Sequence, residues 1–195
     1  SDSWQTGQLH REFADILGMD PGRIRIVQPP IGGGFGSKLD IYPFEPICVF
    51  LAKATGRPVK LVFTREEEFI ASPTRQPVLI RLRSGAKRDG TLTFRSVTTL
   101  HDTGAYDPYG LTVPINSQCT LLGVYRVPAY DSEFRAVFTT TPIVTPVRGA
   151  GRQHGVFVME RLLDVAARQL GIDRVEIRRR NLLTPDEFPH DHGIV

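Results

Sequence analysis

The stretch Ile31-Gly32-Gly33-Gly34-Phe35-Gly36-Ser37-Lys38, here called the glycine loop, places four glycines within five positions of a 195-residue chain. Glycine adopts positive φ at little steric cost and lets a ligand approach the backbone closely. A phosphate-binding P-loop is excluded because Ser37 separates Gly36 from Lys38, which are adjacent in that motif. A dinucleotide-binding loop is disfavoured because Ser37 replaces the third glycine and residues 40–46 delay the next helix. A tight connection without a ligand stays open.

A second loop of similar character is Pro146-Val147-Arg148-Gly149-Ala150-Gly151-Arg152-Gln153, between a predicted strand and a predicted helix. Backbone N–H groups at a helix N-terminus, together with the charges of Arg148 and Arg152, suit anionic oxygens. Two loops of this kind favour a bound ligand over two plain turns.

Hydrophobic periodicity predicts the elements around these loops. Helices are expected over about 7–17, over 47–54 with a stop at Gly56, over 156–170, and over 174–183 after an Asp173 cap. Strands are expected over 23–27, 59–63, 78–82, 91–100 and 132–139, with Asp89-Gly90 as a hairpin turn. We predict an α+β fold of mixed helices with a largely antiparallel sheet, as a single domain over 1–195 truncated at both ends.

Composition excludes several classes of protein. With 41% hydrophobic and 23% charged residues, the chain is an ordinary globular sequence rather than a disordered, collagenous or coiled-coil one. Cys48 and Cys119 are the two cysteines, too few for a disulfide framework or a cysteine-ligated metal site, and they favour a reducing, cytoplasmic location. No apolar run is long enough to predict membrane insertion. His190-Asp191-His192 has no third metal ligand nearby.

Charge does not indicate nucleic acid as a partner. The net charge is +3, and Arg178-Arg179-Arg180 is expected to complement the dipole of its own helix. Glu160 and Asp164 stand one helical turn apart, and we expect them to pair with Arg161 and Arg168.

Several motifs keep a fixed order along essentially the whole chain. They are the glycine loop, Gly56-Arg57-Pro58-Val59, His101-Asp102-Thr103-Gly104-Ala105-Tyr106, Tyr125-Arg126-Val127-Pro128, Arg148-Gly149-Ala150-Gly151-Arg152 and Arg178-Arg179-Arg180-Asn181-Leu182. Together they resemble the molybdopterin-binding large subunit, or domain, of the xanthine dehydrogenase, aldehyde oxidase and carbon monoxide dehydrogenase family of molybdenum hydroxylases. Lys38 followed by Tyr42-Pro43 looks more similar to the carbon monoxide dehydrogenase-like large subunits.

The resemblance implies a molybdenum–molybdopterin cofactor, in the cytosine dinucleotide form, whose metal has no direct protein ligand. It implies 2Fe-2S clusters and FAD on an iron–sulfur small subunit and a FAD medium subunit, in a hetero-oligomer. The general-base Glu is expected outside residues 1–195, so no catalytic residue is assigned within them and the fragment alone is expected to be inactive. The implied cofactor contacts are Gly33, Gly34, Phe35, Gly36, Arg148, Gly149 and Gln5, the last beside Trp4.

Three departures from the family pattern bear on the substrate. The resemblance places Leu39, Asn116 and Ala150 in the substrate pocket, where purine-oxidising members have Glu, Arg and an aromatic residue, so xanthine is disfavoured. Residues 147–152 also lack the Cys that holds copper in carbon monoxide dehydrogenases. The resemblance therefore implies hydroxylation of an aldehyde, a heteroaromatic ring or another aromatic substrate with water.

The alternative hypothesis is a non-catalytic binding or assembly module that retains the molybdopterin-domain fold. Its support is Trp4, which stands where the family usually has the cofactor-binding Gln.

Overall fold

The computed structural model describes residues 6–39, 41–106 and 109–191. The chain divides between Thr74 and Arg75 into two compact units. That these units form a single domain stays a prediction.

The first unit is helical. It contains α1 (Thr6–Leu17), a 3-10 turn (Pro21–Arg23), α2 (Phe44–Thr55) and α3 (Arg65–Ala71). The first two helices confirm the predicted ones, and Gly56 ends α2 at φ 65°, where its N–H donates to the carbonyl of Ala52. Helix α3 was not predicted. A capping box explains where it starts, because Thr64 and Glu67 each accept a hydrogen bond from the other's backbone N–H.

Neither of the strands predicted in the first unit is present. The Asp20 carboxylate accepts from Gly22 N–H at 2.8 Å and begins the 3-10 turn that replaces the start of the first segment. Among the described residues, 23–27 and 59–63 pair with no other strand. Alternating side chains favour a strand only where a neighbour completes its backbone hydrogen bonds, so both predictions are wrong.

The second unit contains a sheet of β1 (Val78–Ala86), β2 (Leu92–Gly104) and β3 (Tyr130–Phe138), in the order β1-β2-β3. The first two strands form the predicted hairpin, and Asp89 accepts from Thr91 N–H in its turn. The third strand pairs with β2 in the parallel direction, so the sheet is mixed and the prediction of a largely antiparallel sheet is wrong for β3. The reason is α4 (Thr112–Cys119), an unpredicted helix in the connection that returns the chain to run alongside β2. The α+β class is confirmed.

Helices α5 (Arg152–Leu170) and α6 (Arg174–Asn181) complete this unit and confirm the prediction. Asp173 caps α6 by accepting from the N–H groups of Val175 and Glu176 at 2.8 and 3.1 Å. A core cluster packs residues of α5 against the sheet and its connections: Leu92, Tyr125, Met159 and Leu163.

The basic run on α6 is largely engaged within the chain. Arg178 donates to Glu160 at 2.8 Å and to Asp164 at 2.9 Å, which ties α6 to α5. The expected pairing of these carboxylates with Arg161 and Arg168 is wrong, because a neighbouring helix supplies a better-placed guanidinium.

No helix in the described ranges has the length and apolar character needed to span a membrane.

Candidate functional site

The glycine loop adopts a backbone that requires glycine at two positions and strains a third residue. Gly33 and Gly36 have φ values of 140° and 104°, and Phe35 between them has φ 53°. A Cβ on Gly33 would lie 2.6 Å from the Phe35 ring. The ring therefore lies on the bare face of Gly33, which explains why a side chain is excluded there.

Hydrogen bonds within this loop use carbonyl groups and leave N–H groups available. Lys38 Nζ donates to the Gly33 carbonyl at 2.6 Å, and both the N–H and the hydroxyl of Ser37 donate to the Gly34 carbonyl at 2.9 Å. The N–H groups of residues 32–36 have no acceptor among the described residues. Successive unpaired N–H groups form a concave surface that attracts negatively charged oxygen.

The loop encloses a small cavity of about 150 Å³. Its lining brings together the predicted contacts Gly33, Gly34, Phe35 and Gly36 with the predicted pocket residue Leu39. Phe35 is 65% exposed, so its ring is available to a ligand. Five residues selected from the sequence thus surround one space.

The second loop is left-handed over three consecutive residues. Gly149, Ala150 and Gly151 have φ values of 102°, 48° and 101°. The turn is closed by Ala150 N–H donating to the Val147 carbonyl at 2.8 Å and by Arg152 N–H donating to the Gly149 carbonyl at 3.0 Å. The loop leads directly into the N-terminus of α5, as predicted.

Arg148 presents an unbalanced positive charge on this loop. Its side chain is exposed and makes no ion pair with any residue in the described ranges. The N–H groups of Arg148 and Gly149 likewise have no acceptor there. Arg152 of the same loop is also exposed and makes no ion pair with a described residue, so the loop offers two full charges and two backbone donors to an anionic group.

The same loop packs against the start of α4. A Cβ on Gly151 would lie 2.2 Å from the carbonyl oxygen of Val113, so only glycine allows this approach. Asn116, the predicted substrate-pocket residue, lies on that helix and is partly buried. Gln5 lies outside the described residues, as does His192.

Sequence reasoning missed a polar row on the inner face of β2. The side chains of Arg95, Thr99, His101 and Thr103 are at most 1% exposed. Gln118 of α4 donates to the Thr99 hydroxyl at 2.6 Å. The sequence contains a signal for this row, because these polar residues occupy odd-numbered positions of one strand and therefore share one face.

Two histidines of this region are held in the neutral form. Burial, and then the neighbouring His154, lower the pKa of His101 to about 4. Burial, and then Arg75, lower the pKa of His154. The two rings are tilted, with centroids 6.2 Å apart. Both ring nitrogens of His101 and Nδ1 of His154 lack a hydrogen-bond partner among the described residues.

A larger cavity of about 560 Å³ opens between β1 and α5, next to the second loop. Gln76, Gln153 and His154 supply polar groups to its wall, and the remaining lining is apolar: Val78, Ile80, Phe157 and Val158. Periodicity alone could not have identified this cavity, because its walls come from elements far apart in sequence.

Both loops thus present unpaired N–H groups on backbones that glycine makes possible. A family model described as the molybdopterin cofactor-binding domain matches residues 2–182. The chain belongs to this family. The resemblance to the xanthine dehydrogenase, aldehyde oxidase and carbon monoxide dehydrogenase family is confirmed.

Relatives of this molybdopterin-binding domain include subunits of oxidoreductases. The xanthine dehydrogenase molybdenum-binding subunit of Escherichia coli O157:H7 is 40% identical over 174 residues, covering 89% of this chain and 23% of that subunit. Quinoline 2-oxidoreductase from Pseudomonas putida 86 superposes with a TM-score of 0.88 at 32% identity, covering 96% of this chain and 24% of that one. Carbon monoxide dehydrogenase from Oligotropha carboxidovorans, at 23% identity over 95% of this chain and 24% of that one, shares the fold with a TM-score of 0.82. The chain spans about a quarter of the length of these relatives.

The described residues fit a molybdopterin cofactor. Such a cofactor carries anionic oxygens and a metal held by its own sulfur atoms, so it needs hydrogen-bond donors and positive charge from the protein. Each loop taken by itself offers such groups: five N–H groups without an acceptor among the described residues in the glycine loop, and the Arg148 charge in the second loop. The molybdopterin-binding assignment therefore agrees with the chemistry of the donors.

Proposed function

We propose that this chain holds the molybdenum–molybdopterin cofactor, in its cytosine dinucleotide form, of a molybdenum hydroxylase that oxidises an aldehyde or a heteroaromatic or aromatic substrate with water. The observation that carries the proposal is the run of N–H groups at residues 32–36 that have no acceptor among the described residues. When bound, the cofactor supplies a two-electron oxidation in which water provides the oxygen added to carbon. The proposal assigns 2Fe-2S clusters and FAD on partner subunits as the groups that would accept these electrons.

The proposed role of the glycine loop is to donate hydrogen bonds from a rigid backbone. Lys38 and Ser37 close the loop through the Gly33 and Gly34 carbonyls, so the donors are oriented before the cofactor binds. Donors fixed in advance stabilise developing negative charge without reorganising during the reaction. Arg148 and the Gly149 N–H act in the same way from the second loop. The proton-abstracting Glu is proposed to lie outside residues 1–195.

The proposed substrate class follows from three side chains. Leu39 adds an apolar surface to the cavity of the glycine loop. Ala150 and Asn116 offer neither an aromatic face nor a positive charge to a purine. An uncharged planar substrate or an aldehyde is therefore favoured. Purine oxidation, the activity named for the Escherichia coli relative, is the competing class.

The proposal places the chain in a hetero-oligomer with an iron–sulfur small subunit and a FAD medium subunit, in the cytoplasm. The relative from Escherichia coli is itself a molybdenum-binding subunit, which implies other subunits beside it. Cys48 and Cys119 are free thiols, which fits a reducing compartment.

The first test measures cofactor content in the full-length protein purified with its native partner subunits. Near-stoichiometric molybdenum with released cytosine nucleotide, both measured by mass spectrometry, is expected. Aldehydes, N-heteroaromatic compounds and xanthine are then compared as substrates. Complex without metal or nucleotide, isolated from molybdenum-replete cells, would favour the non-catalytic binding or assembly module.

A matched pair of glycine variants tests the loop itself. A Cβ at Gly7 of α1 meets nothing within 4 Å, and a Cβ at Gly34 makes only an ordinary contact of 3.7 Å with Lys38. The chain therefore tolerates alanine at both positions. Gly34→Ala is expected to reduce molybdenum content at least several-fold, while Gly7→Ala, outside the loop, keeps it near the wild-type level. Equal molybdenum content in both variants would contradict a cofactor contact at Gly34.

A further inference from the structure

The side chain of Gln153 folds back over the second loop. Its Oε1 accepts a hydrogen bond from Gly151 N–H at 3.2 Å. A Cβ built on Gly149 would lie 2.5 Å from the same oxygen. Gln153 thus contacts both ends of the left-handed segment 149–151.

That contact supplies a hydrogen bond which the backbone does not. Ala150 N–H and Arg152 N–H donate to carbonyls of the loop at 2.8 and 3.0 Å. Gly151 N–H, between them, has the Gln153 side chain as its acceptor. One side chain therefore satisfies the N–H group at the end of the left-handed segment.

The loop conformation needs such support. Three consecutive residues have positive φ, and one of them is Ala150 at 48°. A left-handed backbone is unfavourable for an L-residue with a Cβ. Strained backbone persists where surrounding contacts over-determine it. The loop would relax if its contacts were lost.

The N–H of Gly151 fixes which way the amide of Gln153 points, because it can only donate and therefore faces Oε1. Gln153 Nε2 lies 3.4 Å from His154 Nε2. Burial lowers the pKa of His154, so its ring is neutral near pH 7 and Nε2 can accept from the amide. With the NH₂ group facing His154, Oε1 faces Gly151. The centroid of the His154 ring lies 6.2 Å from that of the fully buried His101.

We propose that Gln153 is a positioning residue that holds residues 149–151 in the conformation that presents Arg148 and the Gly149 N–H to the cofactor. The part of this proposal that concerns Arg148, the Gly149 N–H and the cofactor rests on the proposed function. The part that concerns the conformation of residues 149–151 rests on contacts within the chain alone.

The test compares Gln153→Met with Gln153→Glu in the full-length protein with its partner subunits. Methionine has a similar length but no oxygen, whereas glutamate keeps an acceptor for Gly151 N–H. Gln169→Met, on an exposed position of the same helix, is the matched control. Amide hydrogen exchange of the peptide 147–154 and molybdenum content are measured for each, and circular dichroism verifies folding.

Gln153→Met is expected to speed exchange in 150–152 at least tenfold and to lower molybdenum content at least twofold. Gln153→Glu is expected to keep amide exchange and molybdenum content close to their wild-type values. Gln169→Met is expected to change neither quantity. If Gln153→Met does not fold, Gln153→Asn carries the same expectation, because its amide is one methylene too short to reach Gly151.

Exchange in Gln153→Met equal to that of the wild type would overturn the positioning role, as would equally fast exchange in the Met and Glu variants. Faster exchange without any loss of molybdenum would overturn the part that concerns the cofactor. Wild-type protein that contains no molybdenum would overturn the proposed function, and the exchange comparison would still decide the conformational role of Gln153.

Discussion

Asn181 connects α6 to the β-hairpin, and its replacement tests how the second unit is held together. The side chain is 1% exposed. Its Oδ1 accepts from Leu92 N–H at 2.8 Å, and its Nδ2 donates to the carbonyls of Gly90 and Ile177 at 2.9 and 2.8 Å. One amide thereby satisfies three backbone groups on two elements. Asn181→Ala removes all three bonds at once.

The expected cost follows from those groups. Each buried hydrogen bond contributes about 1 kcal/mol, and each buried backbone group left without a partner costs about 1–3 kcal/mol. Water entering the vacated space recovers part of this. Asn181→Ala should therefore lower the free energy of unfolding by about 3–5 kcal/mol, a large part of the stability of an ordinary domain.

Urea denaturation of the chain measures this change, with Gln169→Ala on the exposed face of α5 as a control expected within about 0.5 kcal/mol. Amide exchange at Leu92 adds a local readout, since its N–H loses its acceptor. A loss of 3 kcal/mol corresponds to roughly a hundredfold increase in opening. A change below about 1 kcal/mol with unchanged exchange at Leu92 would refute the reasoning, because it would mean that these bonds do not hold the hairpin on α6.

Three further predictions concern single positions. Gly151→Ala should lower the unfolding free energy by at least about 2 kcal/mol in urea, because its φ is 101° and its Cβ would lie 2.2 Å from the Val113 carbonyl oxygen. Burial lowers the pKa of His101 to about 4 from 6.5. The unfolded chain therefore binds the proton at a higher pH than the folded chain. The free energy of unfolding should fall by up to about 3 kcal/mol as pH drops from 6.5 to 4. In His101→Phe the urea midpoint of unfolding should depend less on pH between 6.5 and 4 than in the wild type. An unchanged pH dependence would assign the acid sensitivity to another group. Thr64→Ala removes half of the capping box with Glu67 and should cost about 1 kcal/mol, seen as faster amide exchange in α3; equal exchange would show that the cap is dispensable.

Local signals in the sequence predicted the elements whose ends are fixed by local contacts. Gly56 ends α2 in the left-handed region, and Asp173 caps α6 with two hydrogen bonds. Both effects involve residues within four positions of each other, so the sequence contains all that is needed. The Asp89-Gly90 hairpin is predictable for the same reason.

Features that depend on distant partners could not be predicted. The segment 23–27 has the alternation of a strand, but no strand among the described residues pairs with it. The parallel direction of β3 depends on α4, whose sequence includes Pro114 and no amphipathic stripe. Proline is tolerated there because it stands in the first turn, where the N–H has no intrahelical acceptor.

The two candidate loops could be selected from the sequence because they break ordinary local rules in the same way. Phe35 and Ala150 are two of the three described non-glycine residues with positive φ, and each lies between glycines. A loop that served only to reverse the chain would lose nothing by placing glycine there, and would avoid about 1–2 kcal/mol of strain. A side chain at each of these positions therefore indicates a role beyond reversing the chain. Since strained residues cluster where a ligand is held, the backbone of Phe35 and Ala150 supports a binding role for both loops independently of any family resemblance.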